Sequence, residues 1–292
     1  MVSIFTKIMI QITTKETLNR NKPITDSKAI MLFKDLVRPV LSLIASFRVP
    51  YKVVIEQPWR LLLGKPVIYA VNHFCFADTS IMGRITPKRS YILLGKQRLG
   101  FSDWLYFILN GVIFVDRKDK EDTAASKLAM SAYLNKGRSI VMFPEGTWNL
   151  TENQLMLPMK WGIIDIAKET GAQIIPTVLE YDREQKKCFV RFGTPMIFSP
   201  EDSKSEEIVA LRDTMASMRW KFWERKGTFR RADLDVDAER KKLFYSVDEY
   251  PPIDWEYESS CVYHPHTGSK DTFSYLDQLI PCRENAFLFR NR

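Results

Sequence analysis

The sequence contains few histidines and few cysteines. Its 292 residues include three histidines and four cysteines: His73, His264, His266, Cys75, Cys188, Cys261 and Cys282. A histidine-rich metal centre and a framework of several disulfides both lack the residues they require. Residues 1–14 end in polar side chains without a small-residue cleavage site, so we do not expect a secretory signal. Sparse cysteines without a signal predict a reducing, cytosolic location.

Long apolar runs are also missing. No stretch approaches the roughly 18 uninterrupted apolar residues that identify a membrane-spanning helix. The longest candidates are residues 39–47 and 104–115, and Asn110 and Gly111 interrupt the second. Contact with a membrane is therefore expected to be peripheral.

Several common catalytic signatures are absent. The sequence has no Gly-x-Gly-x-x-Gly, no Walker-type phosphate loop, no Gly-x-Ser-x-Gly and no Cys-x-x-Cys. Nucleotide hydrolysis, serine hydrolysis and thiol redox chemistry therefore lose their usual signals.

The charge of the chain is positive and unevenly distributed. Lys and Arg number 43 against 35 Asp and Glu, which gives a net charge of +8; residues 1–225 carry +10 and residues 226–292 carry −2. A positive protein can bind nucleic acid, an anionic membrane surface or an anionic small substrate. Because no RNA-binding motif, zinc finger or basic zipper region is present, we expect no nucleic-acid partner.

Three regions follow one another along the chain. Within residues 51–225, short β-branched runs alternate with helical stretches; the predicted strands are 66–71, 111–115, 139–143, 173–179 and 188–192, and the predicted helices are 78–85, 123–135, 160–170 and 206–223. This alternation predicts an α/β domain with a mostly parallel sheet flanked by helices. Residues 1–50 form a helical segment before it, and residues 226–292 an irregular, acidic and aromatic extension after it.

The N-terminal segment predicts an amphipathic helix that begins at Thr25 or Asp26. Its apolar residues follow steps of three and four, with basic residues elsewhere: Ile30, Phe33, Val37, Leu41, Ile44 and Phe47 against Lys28, Lys34 and Arg38. Pro39 should bend or restart this helix. The helix either packs on its own domain or lies on a bilayer.

A histidine and an aspartate follow the first predicted strand of the domain. Five positions separate His73 from Asp78, which would put them about 140° apart on one helix and on opposite faces of one strand. They can meet only if His73 lies in the turn after the strand and Asp78 in the first turn of the next helix. A carboxylate on one imidazole nitrogen raises the basicity of the other, so the pair is a candidate general base. On its own such a pair is more often structural than catalytic.

Two further strands deliver polar residues to the same edge of the sheet. Residues 139–143 lead into a tight turn that presents Glu145, where a carboxylate can orient a hydroxyl-bearing substrate. Residues 111–115 lead to Arg117, whose planar guanidinium suits a phosphate. Ligands of such sheets bind beyond the carboxyl ends of the strands.

Four ordered blocks resemble those of the glycerolipid acyltransferase family, which includes the 1-acylglycerol-3-phosphate acyltransferases. The blocks are Asn72-His73-x4-Asp78, Gly111-x-x-Phe114-x-x-Arg117, Phe143-Pro144-Glu145-Gly146-Thr147 and Ile175-Pro176-Thr177-Val178. Lys160, Gly162 and the sequence Gly193-Thr194-Pro195 also look like that family. The resemblance covers roughly residues 53–218, and four blocks in order are far more specific than any one of them.

The resemblance implies transfer of a fatty acyl group from a thioester, acyl-CoA or acyl carrier protein, to a hydroxyl of a glycerolipid acceptor such as 1-acylglycerol-3-phosphate. His73 would be the general base and Asp78 would orient it. Arg117, Glu145, Gly146, Thr147 and Trp148 would bind substrate. No bound cofactor or metal is expected, and Cys75 is expected to be a packing residue because the thioester is already activated.

One position departs from the family pattern. The third block usually continues with an arginine that helps bind the acceptor phosphate, and here that place is Trp148. A tryptophan offers one N–H donor and an apolar face, so it cannot pair with phosphate. Either Arg117, Lys96, Arg98 or Lys160 compensates, or the acceptor is another lipid or a sugar hydroxyl. A catalytically inactive lipid-binding protein, or an interaction protein whose tail recruits a partner, is the remaining alternative.

The C-terminal extension contains Cys261-x-x-His264-x-His266 and, later, Cys282. Four such side chains can hold zinc. Pro265 and the irregular spacing argue against a zinc module, so we expect no metal there.

Overall fold

The computed structural model describes residues 25–57, 65–87, 89–96, 99–149, 155–182 and 185–226. In chain order the elements are α1 (Lys28–Arg48), β1 (Lys52–Glu56), β2 (Val67–Val71), α2 (Ala77–Ile85), β3 (Ser90–Gly95), α3 (Phe101–Asn110), β4 (Val112–Val115), α4 (Lys120–Asn135), β5 (Ser139–Met142), α5 (Gly162–Thr170), β6 (Gln173–Asp182), β7 (Lys187–Phe192) and α6 (Lys204–Lys226). The predicted strands and helices of the domain are all present, within a few residues of their expected ends.

Seven strands form one sheet in the described part of the chain. Their order is β1-β7-β6-β2-β5-β3-β4. Every neighbouring pair is parallel except β6 and β7, which run antiparallel as a hairpin. The predicted α/β class with a mostly parallel sheet is therefore confirmed. The hairpin also reverses β1, because β1 pairs in parallel with β7.

Alternation along the central strand β2 separates two apolar layers. Ile68 and Ala70 pack into one cluster with residues of α4, α5 and α6, and Val67, Tyr69 and Val71 pack into another with residues of α2. Side chains of a strand point alternately to opposite faces, so a fully buried strand needs cover on both. The carboxyl end of β2 is thus held in the middle of the fold.

Three elements were not predicted: β1, β3 and α3. The sequence of α3 is apolar around most of its circumference, with Tyr106, Phe107 and Ile108 consecutively buried. Residues 104–109 are all apolar or aromatic, and a short continuous run of this kind does not by itself distinguish a helix from a strand.

Helix α1 packs on the domain through a face that differs from the predicted one. Ile30 and Leu41 are buried as expected, but Ile44 and Phe47 are exposed. Lys34 and Arg38, expected on the outer side, are buried: Lys34 pairs with Asp26 at 2.7 Å, and Arg38 Nη1 donates to the Ser90 carbonyl at 2.7 Å. The predicted stripe is wrong in these positions because the partly buried Asp26 carboxylate and the Ser90 carbonyl accept hydrogen bonds from the two cations on the inner side of the helix.

Pro39 lies inside α1, and the helix runs through it without restarting. The proline is exposed. Water can therefore donate to the backbone carbonyl that the missing proline N–H leaves without a donor.

No helix among the described residues is long and apolar enough to cross a membrane. The extension after residue 226, with the possible zinc ligands, lies outside the described residues, as does Arg98.

Candidate active site

Two turns meet at the carboxyl edge of neighbouring strands. Residues 72–78 follow β2 and residues 143–149 follow β5, and these strands pair in parallel. Together with the ends of β3 and β4 they enclose a cavity of about 230 Å³, lined by His73, Phe76, Thr79, Leu93, Leu94, Gly95, Lys96, Val115, Arg117, Phe143, Gly146, Thr147 and Trp148. The cavity lies where ligands of parallel α/β sheets are expected.

His73 and Asp78 meet in the way that their spacing allows. His73 lies in the turn after β2, Asp78 in the first turn of α2, and His73 Nδ1 is 2.8 Å from Asp78 Oδ2. The same oxygen accepts backbone N–H groups of Phe74 at 2.5 Å and Cys75 at 2.9 Å. Asp78 is fully buried, whereas the His73 side chain keeps 14% of its surface exposed. A buried carboxylate with several donors is fixed in place and orients the imidazole.

Tyr181, at the end of β6, completes the surroundings of Asp78. Its hydroxyl donates a short hydrogen bond to Asp78 Oδ1. Burial raises the pKa of the tyrosine well above its ordinary value, so the hydroxyl stays protonated and remains a donor. Nothing in the local sequence pattern signals this contact, because Tyr181 is 103 positions away from its partner.

Asn72 anchors the start of the turn to the same strand. Its side-chain amide donates to the Leu179 carbonyl at 3.0 Å and its Oδ1 accepts the Leu179 N–H at 2.7 Å. Asn72 is buried. The asparagine before His73 therefore fixes the backbone from which the imidazole projects.

Glu145 lies behind the cavity rather than in its wall. The carboxylate is fully buried; Oε1 accepts the His73 N–H at 3.1 Å and Oε2 accepts the Leu157 N–H at 2.8 Å. Burial raises the pKa of this carboxyl to about 7, and the two backbone donors offset only part of that effect. In this arrangement Glu145 positions the backbone of His73, and it is not placed to orient a substrate hydroxyl directly.

Trp148 contacts the histidine on the side opposite Asp78. Its indole Nε1 is 3.0 Å from His73 Nε2, with the two rings nearly perpendicular at 86°. An indole N–H can only donate, so Nε2 must be the acceptor. The proton of the neutral imidazole therefore sits on Nδ1 and is donated to Asp78. The Phe143 ring stacks on one face of the imidazole, with 4.3 Å between the ring centroids.

Two cations converge on the turn after β5. Arg117 Nη1 donates a short hydrogen bond to the Gly146 carbonyl. A Cβ at Gly146 would lie 3.1 Å from Arg117 Nη1 and 3.1 Å from Lys160 Cε, and the residue has φ +72°. Glycine is thus required for both backbone conformation and space. Lys96, also in the cavity wall, pairs with Asp122 at 2.8 Å.

The structure brings most of the predicted site residues together. His73, Arg117, Gly146, Thr147 and Trp148 line the cavity, and the buried Asp78 and Glu145 support it from behind. Cys75 is buried as well, and burial raises the pKa of its thiol. A thiol held in its protonated form is a poor nucleophile, in agreement with a packing role.

Comparison with known proteins shows what this domain resembles. Residues 51–180 match the family described as Acyltransferase. Over these residues the α/β domain is similar to the acyltransferases. The match contains all four motif blocks and ends one residue before Tyr181.

The relatives that match this domain include glycerolipid acyltransferases. The chain is 31% identical to a 1-acyl-sn-glycerol-3-phosphate acyltransferase of Saccharomyces cerevisiae, over 44% of this chain and 42% of that protein. It is 34% identical to the protein of that name from Borreliella burgdorferi, over 44% of this chain and 51% of that protein. The matched segment thus spans about half the length of these relatives.

A solved structure supports the fold. The 1-acyl-sn-glycerophosphate (LPA) acyltransferase PlsC from Thermotoga maritima superposes with a TM-score of 0.53 at 14% identity, covering 78% of this chain and 91% of that one. At this identity the likeness concerns the fold alone.

Proposed function

We propose that this protein transfers a fatty acyl group from an acyl thioester to a hydroxyl of a glycerolipid such as 1-acylglycerol-3-phosphate. The observation that carries the proposal is the His73–Asp78 pair at the cavity. Its carboxylate is buried and fully hydrogen-bonded, and its imidazole faces the space where a substrate would lie. Acyl-CoA and acyl carrier protein are both suitable donors, since each presents the same thioester.

In this proposal His73 acts as the general base. Its Nε2 takes the proton of the acceptor hydroxyl as the oxygen attacks the thioester carbonyl carbon. The tetrahedral intermediate then collapses with cleavage of the C–S bond, and the leaving thiolate takes the proton from the imidazolium. Asp78 stabilises the imidazolium while it lasts. General base catalysis of this kind typically contributes about 10²–10⁴-fold, and alignment of the two substrates contributes the remainder.

The test is product analysis by mass spectrometry. Purified protein receives a labelled acyl-CoA or acyl carrier protein thioester and a panel of acceptor alcohols with and without phosphate. We expect an O-acylated glycerolipid whose formation is lost in His73→Ala, by about 10²-fold or more. Binding of lipid without turnover by the wild-type protein would instead favour the inactive lipid-binding alternative.

The identity of the acceptor depends on position 148. Arg117 and Lys160 converge on Gly146 at the cavity and can pair with an acceptor phosphate. Trp148 favours a second candidate, an acceptor without phosphate at this point, because the neutral indole forms no ion pair and donates its N–H to His73. If the second candidate holds, Trp148→Arg will raise turnover of 1-acylglycerol-3-phosphate relative to the preferred acceptor. An unchanged preference supports compensation by the other cations.

Peripheral attachment to a membrane is part of the proposal. Leu32, Leu36, Val40, Leu43 and Phe47 recur at steps of three and four on α1 and are between 60% and 85% exposed. We call these five residues the α1 apolar stripe. An exposed apolar face of this length fits insertion into the headgroup region of a bilayer, where a lipid acceptor would lie.

Vesicle binding tests the attachment. The double variant Leu36→Gln, Leu43→Gln should sediment with phosphatidylcholine–phosphatidylglycerol vesicles about tenfold less than wild type, because it removes apolar area from the stripe. Leu128→Gln is the matched control, since Leu128 is 43% exposed on α4 and outside the stripe. Equal binding of all three proteins would contradict the attachment.

A further inference from the structure

The nitrogen that must accept the substrate proton is already engaged. His73 Nδ1 donates to Asp78, and His73 Nε2 accepts the Trp148 indole N–H at 3.0 Å. A neutral imidazole has one lone pair in the ring plane, on its unprotonated nitrogen. While the indole N–H occupies that lone pair, neither an acceptor hydroxyl nor a water molecule can pass a proton to it.

The indole is held close to the histidine by its surroundings. Trp148 is only 9% exposed and lines the cavity beside His73. The next residue fixes the backbone, because the Asn149 N–H donates to the His73 carbonyl at 2.7 Å. The burial of the indole and the main-chain hydrogen bond of Asn149 therefore both hold the two rings together.

We propose that the Trp148 indole N–H blocks Nε2 of His73, and so protects the thioester from hydrolysis, until the acceptor displaces it. We call this contact the cap. The proposal rests on the acyl transfer proposed above. Hydrolysis would proceed as transfer does: Nε2 takes a proton from water, the hydroxide oxygen adds to the thioester carbonyl carbon, the C–S bond breaks, and the thiolate leaves with the proton. The products are a free fatty acid and a free thiol.

A bound acceptor differs from water in what it offers the indole. A single water molecule that enters between the rings can donate to Nε2 and accept the indole N–H, but it makes too few other contacts to offset the separation of the two buried groups. A lipid acceptor buries apolar surface in the cavity and positions its hydroxyl. The free energy of this binding can offset the cost of displacing the indole N–H from His73. Trp148 is thereby a positioning residue that acts through His73 and favours alcohols over water.

The kinetic test compares hydrolysis with transfer in Trp148→Phe. This variant keeps an aromatic ring in the cavity wall and removes the N–H. Release of free thiol from acyl-CoA without acceptor should rise about 2- to 10-fold, the range associated with one net hydrogen bond. The ratio of transfer to hydrolysis with acceptor should fall correspondingly.

Two control variants separate the cap from other effects. Trp220→Phe removes an indole N–H that donates to Glu224 on the outer side of α6, and both rates should stay at wild-type values. The double variant His73→Ala, Trp148→Phe should lose the added hydrolysis if that hydrolysis uses His73 as base.

Nuclear magnetic resonance of the wild-type protein supplies a readout independent of turnover. The indole proton of Trp148 should exchange with solvent more slowly than that of the half-exposed Trp220. Addition of the acceptor alone should shift the Trp148 indole signal and speed its exchange, because the N–H leaves His73.

The outcomes distinguish the cap from the proposed function. Absence of His73-dependent transfer to any acceptor defeats the acyl transfer itself. If wild type transfers acyl groups but Trp148→Phe has unchanged hydrolysis, or if the Trp148 indole signal ignores the acceptor, the cap is wrong while the function stands. Should Trp148→Phe fail to fold, as unfolding curves would reveal, the wild-type resonance experiment decides alone.

Discussion

The two turns that form the cavity are built in different ways. The turn at 72–78 is held by hydrogen bonds from every side: Asp78 takes two backbone N–H groups, and Asn72 pairs twice with Leu179. The turn at 143–149 presents Trp148 and Gly146 to the cavity and is tied to other segments: Glu145 accepts two backbone N–H groups, and the Asn149 N–H donates to the His73 carbonyl. We call the turn at 72–78 the rigid turn, because its His73–Asp78 pair is fixed by the buried carboxylate. The turn at 143–149 contains Trp148, the position that departs from the pattern of the family that the motif blocks resemble.

This comparison indicates a division of labour. In the proposed function, the residues that carry the chemistry lie on the rigid turn, where a small displacement would misalign His73. The residues proposed to contact the acceptor lie on the second turn, where substitution would change what is bound while the pair stays in place. Perturbing the supports of each turn should therefore have effects of graded size.

Loss of the carboxylate on the rigid turn should have the largest effect. Asp78→Asn keeps the shape but removes the charge that stabilises the imidazolium, and its amide group faces backbone donors that need an acceptor. Turnover should fall by about 10²–10⁴-fold, measured as acyl transfer at saturating substrate.

The matched control for this change is Asp165→Asn. Asp165 lies on α5, away from the residues that line the cavity. It forms ion pairs with Lys127 of α4 and Lys204 of α6. It should keep wild-type turnover. A retained rate within about tenfold in Asp78→Asn would mean that the aspartate is a structural partner of His73 only.

Glu145 links the two turns, and its titration should make the stability of the protein depend on pH. Burial raises the pKa of Glu145 from 4.5 to about 7 in the folded protein, so the folded state binds the proton more tightly than the unfolded one. The stability from this group is fully present below about pH 4.5 and is lost as the pH rises to about 7. The loss amounts to roughly 3 kcal/mol.

Denaturant unfolding of wild type and Glu145→Gln between pH 4 and 8 measures that loss. Glutamine does not titrate. The unfolding free energy of wild type should therefore fall relative to that of Glu145→Gln as the pH rises across this window. Glu224→Gln, at an exposed position, serves as control and should track wild type. A constant difference between wild type and Glu145→Gln would show that Glu145 does not titrate with folding.

Removal of one hydrogen bond from the rigid turn should have the smallest effect. Tyr181→Phe deletes the hydroxyl that donates to Asp78 Oδ1 while keeping the ring. Turnover should fall about 2- to 10-fold, and the effect should vanish in an Asp78→Asn background, because the two residues act as a unit.

Tyr133→Phe controls for the loss of a buried tyrosine hydroxyl. Tyr133 accepts the Asp26 N–H at 2.9 Å beside α1, so its removal should lower stability without lowering turnover. If Tyr181→Phe and Tyr133→Phe behave alike in both measurements, Tyr181 contributes only to stability.

Much of the fold follows from patterns along the chain. The alternation of short β-branched runs with helical stretches gave the α/β class, since burial on both faces demands apolar strands and covering helices. Strand β3 and helix α3 were not predicted because each contains a short continuous apolar run, which does not by itself distinguish a strand from a helix. The buried cations of α1 escaped it because their acceptors, Asp26 and the Ser90 carbonyl, become neighbours only after folding.

The sequence by itself determined how His73 and Asp78 can meet, because their spacing allows contact only when one lies in the turn after a strand and the other in the first turn of the next helix. It also determined the residues of the turn after β5. Only the tertiary structure decided that Tyr181 supports Asp78, that Glu145 is buried behind His73, and that the Trp148 indole occupies Nε2. Those partners are 72 to 103 positions apart, and the order of strands in the sheet, which no local pattern encodes, brings them together.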